Sequence, residues 1–177
     1  MLHWAKAHRS AAAAIAVAAL ALFGLGFYWF GPQRLVLDRE VAEALPTPTG
    51  ATDPSTGEEP LEEPSGIEEL GSGEFRSLEH GTAGLARIVE LEDGSRFVRL
   101  EDLDTSDGPD LRVYLTDQPV SDDWGVWDDG RYVDLGALKG NVGDSNYLIP
   151  ADVDPLDFRT LVIWCRRFTV GFGVAPI

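Results

Sequence analysis

Short apolar runs separated by turn residues are the feature that most restricts the fold of this chain. Between Gly71 and Ile177 the runs alternate with Gly-, Asp- and Pro-rich breaks, and no helical period persists. Such spacing is typical of an all-β sandwich or barrel. Glu92-Asp93-Gly94-Ser95, between two apolar runs, is the strongest hairpin signal. We therefore predict a single all-β domain of eight strands at Gly73–Ser77, Gly84–Leu91, Ser95–Leu100, Leu111–Thr116, Tyr132–Leu135, Asn146–Ile149, Leu161–Phe168 and Val170–Ala175.

The N-terminal part has a different pattern, because Ser10 to Phe30 contains no charged residue. A helix of about 20 residues spans the hydrocarbon core of a bilayer. A cleaved signal peptide is the alternative, but its apolar region is shorter and ends at a small-residue site, which is missing here. Lys6 and Arg9 precede the run, so the positive-inside rule predicts residues 1–9 in the cytoplasm and the rest outside. We predict a single-pass membrane protein with a transmembrane helix at 10–30.

Residues 31–70 are expected to form an acidic linker rich in Pro, Thr, Ser and Gly. They include few large apolar side chains, so burial cannot offset the entropy of ordering most of the segment. A short juxtamembrane helix is expected over 35–45. The predicted organisation is thus a disordered linker between the membrane helix and a β-sandwich at residues 71–177.

Charge excludes one class of partner. The 30 acidic and 14 basic residues give a formal net charge of −16. Nucleic-acid binding requires a basic surface that replaces the counterions of the phosphates, so we expect no nucleic-acid partner.

Cys165 is the only cysteine and lies in the apolar run Leu161–Phe168. An unpaired cysteine in an exported domain is a reactive thiol, a bond to another chain, or a buried inert side chain. Alternation along a strand places Leu161, Ile163, Cys165 and Arg167 on one face, with both faces apolar as in a central strand. A nearby Arg would lower the pKa of the thiol and so stabilise the thiolate. A stabilised thiolate is the functional interpretation of this segment.

His80 is the only histidine in the predicted exported domain. It is either a solvated turn residue or an acid/base partner for Cys165. One His, one Cys and no Met exclude blue copper and structural zinc, and Cys-x-x-Cys-His for covalent haem is missing. We expect no metal site. Non-covalent haem, with His80 or Cys165 as axial ligand, is left open as a cofactor, although no cofactor at all is the favoured reading.

In combination, six stretches resemble the DM-thirteen domain, described as an electron-transfer module related to DOMON β-sandwiches. The resemblance covers nearly all of residues 71–177, and its motifs are specific as an ordered set. It implies a DOMON-like sandwich with one characteristic Cys, matched by Cys165, and a His-x-x-x-Gly stretch, matched by His80. The six stretches are Gly73–Phe75, His80–Gly84, Gly108–Leu115, Asp134–Asn141, Asn146–Pro150 and Val162–Phe168.

Two functions follow as expectations. The first is a membrane-anchored, extracytoplasmic redox or electron-transfer domain in which Cys165 reacts with an unidentified redox or protein partner. The second is a non-catalytic binding module at the cell surface, in which Cys165 is core packing. Whether the chain is an enzyme is left open by the sequence.

Overall fold

A computed structural model describes residues 9–30, 38–46 and 66–177. Its single described α-helix, α1 (Arg9–Phe30), has 22 residues. Within it, Ser10–Tyr28 is long and apolar enough to cross a membrane, and none of this stretch is buried against the protein. An apolar helix with no protein partner for its surface fits the predicted membrane segment.

The remaining described residues form ten β-strands and one short 3-10 turn, Pro155–Asp157. The strands are β1 (Glu40–Ala42), β2 (Ile67–Glu74), β3 (Arg76–Ser77), β4 (Thr82–Leu91), β5 (Arg96–Thr105), β6 (Leu111–Thr116), β7 (Tyr132–Ala137), β8 (Val142–Ile149), β9 (Thr160–Cys165) and β10 (Val170–Pro176).

The strands build two five-stranded sheets. Sheet A has the order β1-β8-β5-β4-β2, and sheet B has the order β3-β10-β9-β6-β7. Neighbouring strands are antiparallel except for β1, which pairs with β8 in parallel. The predicted all-β sandwich is confirmed.

Apolar side chains fill two layers. The larger cluster lies between the sheets and includes Leu100, Ile163 and Cys165, all with no exposed surface. The second cluster lies on the outer face of sheet B, where Trp127 covers Val162 and Trp164 of the central strand β9. Both faces of β9 are therefore buried, as the sequence pattern predicted.

Several predicted strand limits are corrected by the structure. Strand β9 ends at Cys165, and residues 166–169 form a turn, so Arg167 does not continue the face of Cys165 as expected. The predicted strand from Ser95 to Leu100 continues to Thr105, past a register shift between Leu100 and Leu103. The predicted strand at Asn146–Ile149 begins four residues earlier, at Val142.

The segment predicted as a linker, 31–70, contributes residues of two strands to the sandwich. Residues 40–42 form β1 where a short helix was expected, which corrects that prediction, and Ile67 starts β2. The remainder of the linker prediction, at 31–37 and 47–65, lies outside the described residues.

Polar groups hold β1 against the sandwich in an arrangement that we call the β1 seam: Asp38–Ala44 together with Arg99, Asp107, Asn141 and Asp144. The guanidinium of Arg39 donates to both carboxylate oxygens of Asp107, at 2.9 and 3.0 Å. The Asp107 side chain is only 1% exposed. Burial of an ionised carboxylate is tolerated when it is paired and hydrogen-bonded in this way.

Two further buried residues complete the β1 seam. Asn141 accepts from the backbone N–H of Arg39 at 2.7 Å and donates to Asp38 Oδ1 at 2.8 Å. On the other side, Arg99 Nη1 donates to the Glu43 carbonyl at 2.6 Å. The sandwich thus presents buried donors and acceptors that the residues flanking this short strand satisfy.

Candidate functional site

The candidate site lies at one end of the sandwich, where β5 finishes at Thr105, β6 begins at Leu111 and β9 finishes at Cys165. We call it the Cys165 end. The register Leu111↔Cys165↔Val170 places the cysteine at the last rung of three neighbouring strands. A tight turn over residues 166–169 then leads into β10.

The side chain of Cys165 is fully buried and forms no disulfide. Burial raises the pKa of its thiol, and the nearby backbone N–H groups of Phe168, Arg167 and Asp110 only partly oppose this effect. The sulfur is therefore protonated at neutral pH, and a thiol is a much weaker nucleophile than a thiolate.

The groups that lower the pKa of the thiol are backbone N–H groups, not the arginine side chains expected to activate it. Arg166 directs its Nε to Asp110 Oδ2 at 2.9 Å, and its side chain is more than half exposed. Arg167 approaches the sulfur through its backbone N–H. The predicted activation of Cys165 by an Arg side chain therefore has no support in this geometry.

His80 lies at the same end, in the turn before β4. Its ring packs on Phe172, with ring centroids 3.9 Å apart, and its Nε2 contacts Glu79 Oε2. Phe172 belongs to the same apolar cluster as Cys165. Within the described part of the chain, no hydrogen bond or ion pair joins His80 to Cys165, so the structure brings them to one end without pairing them.

Haem does not fit these residues. An axial ligand must face a cleft wide enough for the macrocycle, whereas Cys165 is packed inside the core and His80 is held between Phe172 and Glu79. Two surface clefts, one beside Gly94 and one beside Gly84, are lined by neither residue. Among residues 9–30, 38–46 and 66–177, no group of three or more His, Cys, Asp or Glu side chains is placed to hold a metal ion.

Sequence reasoning missed the residues of the β1 seam, which adjoins the same end. Asp107 precedes Gly108-Pro109 and Asn141 lies between Gly140 and Gly143, so each has the local sequence of an ordinary turn. Gly140 and Gly143 were the available sequence signal for the seam. A Cβ at Gly140 would collide with the Arg39 carbonyl, and a Cβ at Gly143 would collide with the Val41 carbonyl. Glycine inside a strand often marks such a close approach of another backbone.

Comparison with known proteins identifies the family. The profile of the family described as Electron transfer DM13 matches residues 74–177, which is more than half of the chain. No curated protein and no solved structure gave a match. The matched range covers both Cys165 and His80 but excludes β1 and most of β2. The chain belongs to the Electron transfer DM13 family, whose description supports a redox role for the domain.

Proposed function

We propose that this chain is a single-pass membrane protein whose sandwich lies outside the cytoplasm and reacts through Cys165. Membership of an electron-transfer family supports the redox role. The helix at Ser10–Tyr28 supports the anchor, and Lys6 and Arg9 before it support a cytoplasmic N-terminus. Residues 71–177, which include Cys165, would then meet the oxidants of an extracytoplasmic compartment.

One observation carries the assignment to Cys165: the sulfur lies beneath a single tight turn at the tip of the domain. The backbone N–H groups of Arg167 and Phe168 approach the sulfur, so the turn itself covers one side of it. All four turn residues, 166–169, are exposed. Exposed turns open locally at a lower free energy than core strands, so this cover can be removed without unfolding the sandwich.

The chemistry open to such a thiol is reversible oxidation by a hydroperoxide. The sulfur transfers two electrons to the O–O bond, and one thiol with one hydroperoxide gives one sulfenic acid and one alcohol. Two small thiols then restore Cys165, and the products are their disulfide and water. Because burial keeps the thiol protonated, its proton must leave once the turn opens, and turn opening would set the rate.

A second function is favoured by the complete burial of Cys165. Free cysteine often behaves as a small apolar side chain. In that case the domain is a non-catalytic binding module at the cell surface, and Cys165 contributes only packing.

Thiol labelling of the folded protein separates the two functions. Under the redox proposal a maleimide slowly labels native Cys165, and prior treatment with mild peroxide blocks the labelling until a small thiol is added. Labelling only after denaturation would overturn the proposal and leave the packing role.

A matched variant controls for altered stability. Ile163→Val removes a methylene from the same strand and the same buried face and leaves residue 165 a cysteine. If general loosening explains the labelling, this variant should be labelled much faster than the wild type. If the turn alone controls access, the two rates should agree.

A further inference from the structure

The parallel pairing of β1 determines where the chain from the membrane helix reaches the sandwich. Glu40 pairs with Val142, the first residue of β8, and the Arg39 carbonyl accepts from the backbone N–H of Asn141 at 3.0 Å. Asn141 in turn donates to the Thr105 carbonyl at 2.8 Å, where β5 finishes. The polypeptide therefore arrives at the Cys165 end.

The covalent connection to the helix is short. Only seven residues, 31–37, separate Phe30 from Asp38, and seven residues span at most about 25 Å when fully extended. Residues 47–65 add nothing to this reach, because the chain is attached to the sandwich on both sides of them. Before them, Asn146 Nδ2 donates to the Ala44 carbonyl at 2.8 Å, and after them Ile67 pairs with Leu91.

The end that is held near the helix also exposes an unusual turn. Residues 166–169 read Arg-Arg-Phe-Thr, and Phe168 is 52% exposed. Two adjacent arginines are notable in a chain of net charge −16. Arg166 Nε donates to Asp110 Oδ2, but the Arg166 side chain is 55% exposed. Arginine side chains are attracted to anionic phospholipid headgroups, and an exposed aromatic ring beside them suits the headgroup region of a membrane.

We propose that the Cys165 end faces the membrane, with the turn at residues 166–169 resting on phospholipid headgroups. The proposal uses the anchoring part of the proposed function and adds an orientation to it. It requires no reaction at Cys165. Its consequence is that an oxidant or reductant of Cys165 reaches the sulfur from the membrane side.

The test places a fluorophore at either end of the full chain in vesicles that contain anionic phospholipids and headgroup-attached quenchers. Thr169→Cys labels the proposed contact, and Ala151→Cys labels the exposed turn at the far end of β8, both in a Cys165→Ala background. The eight residues of β8 separate the two ends by about 25 Å. We expect several-fold stronger quenching at position 169, and equal quenching would overturn the orientation.

Two insertions of the same 20-residue Gly/Ser segment test the mechanism. Placed within 31–37, the insertion should reduce quenching at position 169 to the level of position 151. Placed within 47–65, it should leave quenching unchanged. The reverse result would show that 47–65 is the tether and would overturn the proposal.

Charge reversal tests the contact with headgroups, and flotation tests the membrane anchor. The double variant Arg166→Glu/Arg167→Glu should lose most of the quenching at position 169, and unchanged quenching would count against headgroup contact. If the chain fails to float with the vesicles, the anchor itself is wrong, and the orientation falls with it. Flotation with equal quenching overturns the orientation alone and leaves the proposed function standing.

Discussion

The β1 seam and the interior of the sandwich are stabilised by opposite kinds of contact. The interior holds apolar side chains such as Leu100 and Ile163, together with Cys165, whereas the seam holds a buried carboxylate, Asp107, against Arg39. An apolar core loses stability in proportion to the volume removed. A buried carboxylate that loses its cationic partner costs about 3–5 kcal/mol, because its charge remains without a counterion. Removing one charged side chain from the seam should therefore cost as much as removing a whole apolar side chain from the core, about 2–5 kcal/mol, although the seam is the smaller structure.

The largest effect is expected for Arg39→Ala. The substitution leaves the Asp107 carboxylate, 1% exposed, without its cationic partner. Because Arg39 itself is 40% exposed, the cost should lie at the low end of the range for a broken buried pair, about 3 kcal/mol of unfolding free energy. Guanidinium-induced unfolding of the full chain in detergent, followed by tryptophan fluorescence, measures the loss.

Arg76→Ala is the matched control, since Arg76 pairs with Asp122 at a similar N–O distance, 2.8 Å against 2.9 Å, with side chains 56% and 91% exposed. An exposed pair contributes at most about 1 kcal/mol. If both alanine variants lose the same stability, the Asp107 carboxylate is not buried in solution, and the proposed contrast is wrong.

A smaller effect is expected for Gly143→Ala. Gly143 has φ +98°, and a Cβ there would collide with the Val41 carbonyl of β1. Gly136 has a similar φ of +123°, and a Cβ there meets nothing within 4 Å. Backbone strain of about 1 kcal/mol is thus common to both alanine variants. We expect Gly143→Ala to lose about 1–2 kcal/mol more than Gly136→Ala.

Limited proteolysis shows whether this difference arises in the seam. Cleavage between residues 38 and 46 should accelerate in Gly143→Ala but not in Gly136→Ala. Equal rates would mean that β1 is not held at Gly143.

The interior was predictable from sequence because burial leaves a local pattern. The continuous apolar run Leu161–Cys165 identified a central strand with both faces buried, and Glu92-Asp93-Gly94 identified the hairpin between β4 and β5. The end of β9 was not predictable, because Arg166, Arg167 and Phe168 fit either a strand or a turn. The burial of the thiol also depends on the turn folding back over it.

The β1 seam escaped prediction for a different reason. Its contacts join residues far apart in sequence, such as Arg39 with Asp107 and Glu43 with Lys139. Charged residues near Pro and Thr have the composition of a linker, and composition does not reveal a distant partner. Only the glycines opposite β1 carried a signal, and a glycine next to an asparagine equally indicates a turn.

Within the interior, Cys165→Ser tests how closely the sulfur is packed. The hydroxyl would replace a fully buried thiol, at a cost of about 1–2 kcal/mol if the nearby backbone N–H groups only partly satisfy it. Cys165→Ala should cost about 1 kcal/mol. Denaturant unfolding that shows no loss for Ser would mean that water reaches this position in the folded protein.

The smallest effect is the pH dependence contributed by the thiol. Burial raises the pKa of Cys165 above its value in the unfolded chain. Its contribution to stability is therefore complete below the unfolded pKa, about 8.5, and is lost as the pH rises from there through the folded pKa. Between pH 8 and pH 10 the wild type should lose more unfolding free energy than Cys165→Ala does.

Subtracting the Cys165→Ala curve isolates the sulfur from the tyrosines. Burial also raises the pKa values of Tyr114 and Tyr147, which titrate over an overlapping range, but both tyrosines are present in both proteins. Parallel curves would mean that the thiol ionises as readily in the folded protein as in the unfolded chain. A thiolate would then be available without opening of the turn, and turn opening would no longer limit the reaction proposed for Cys165.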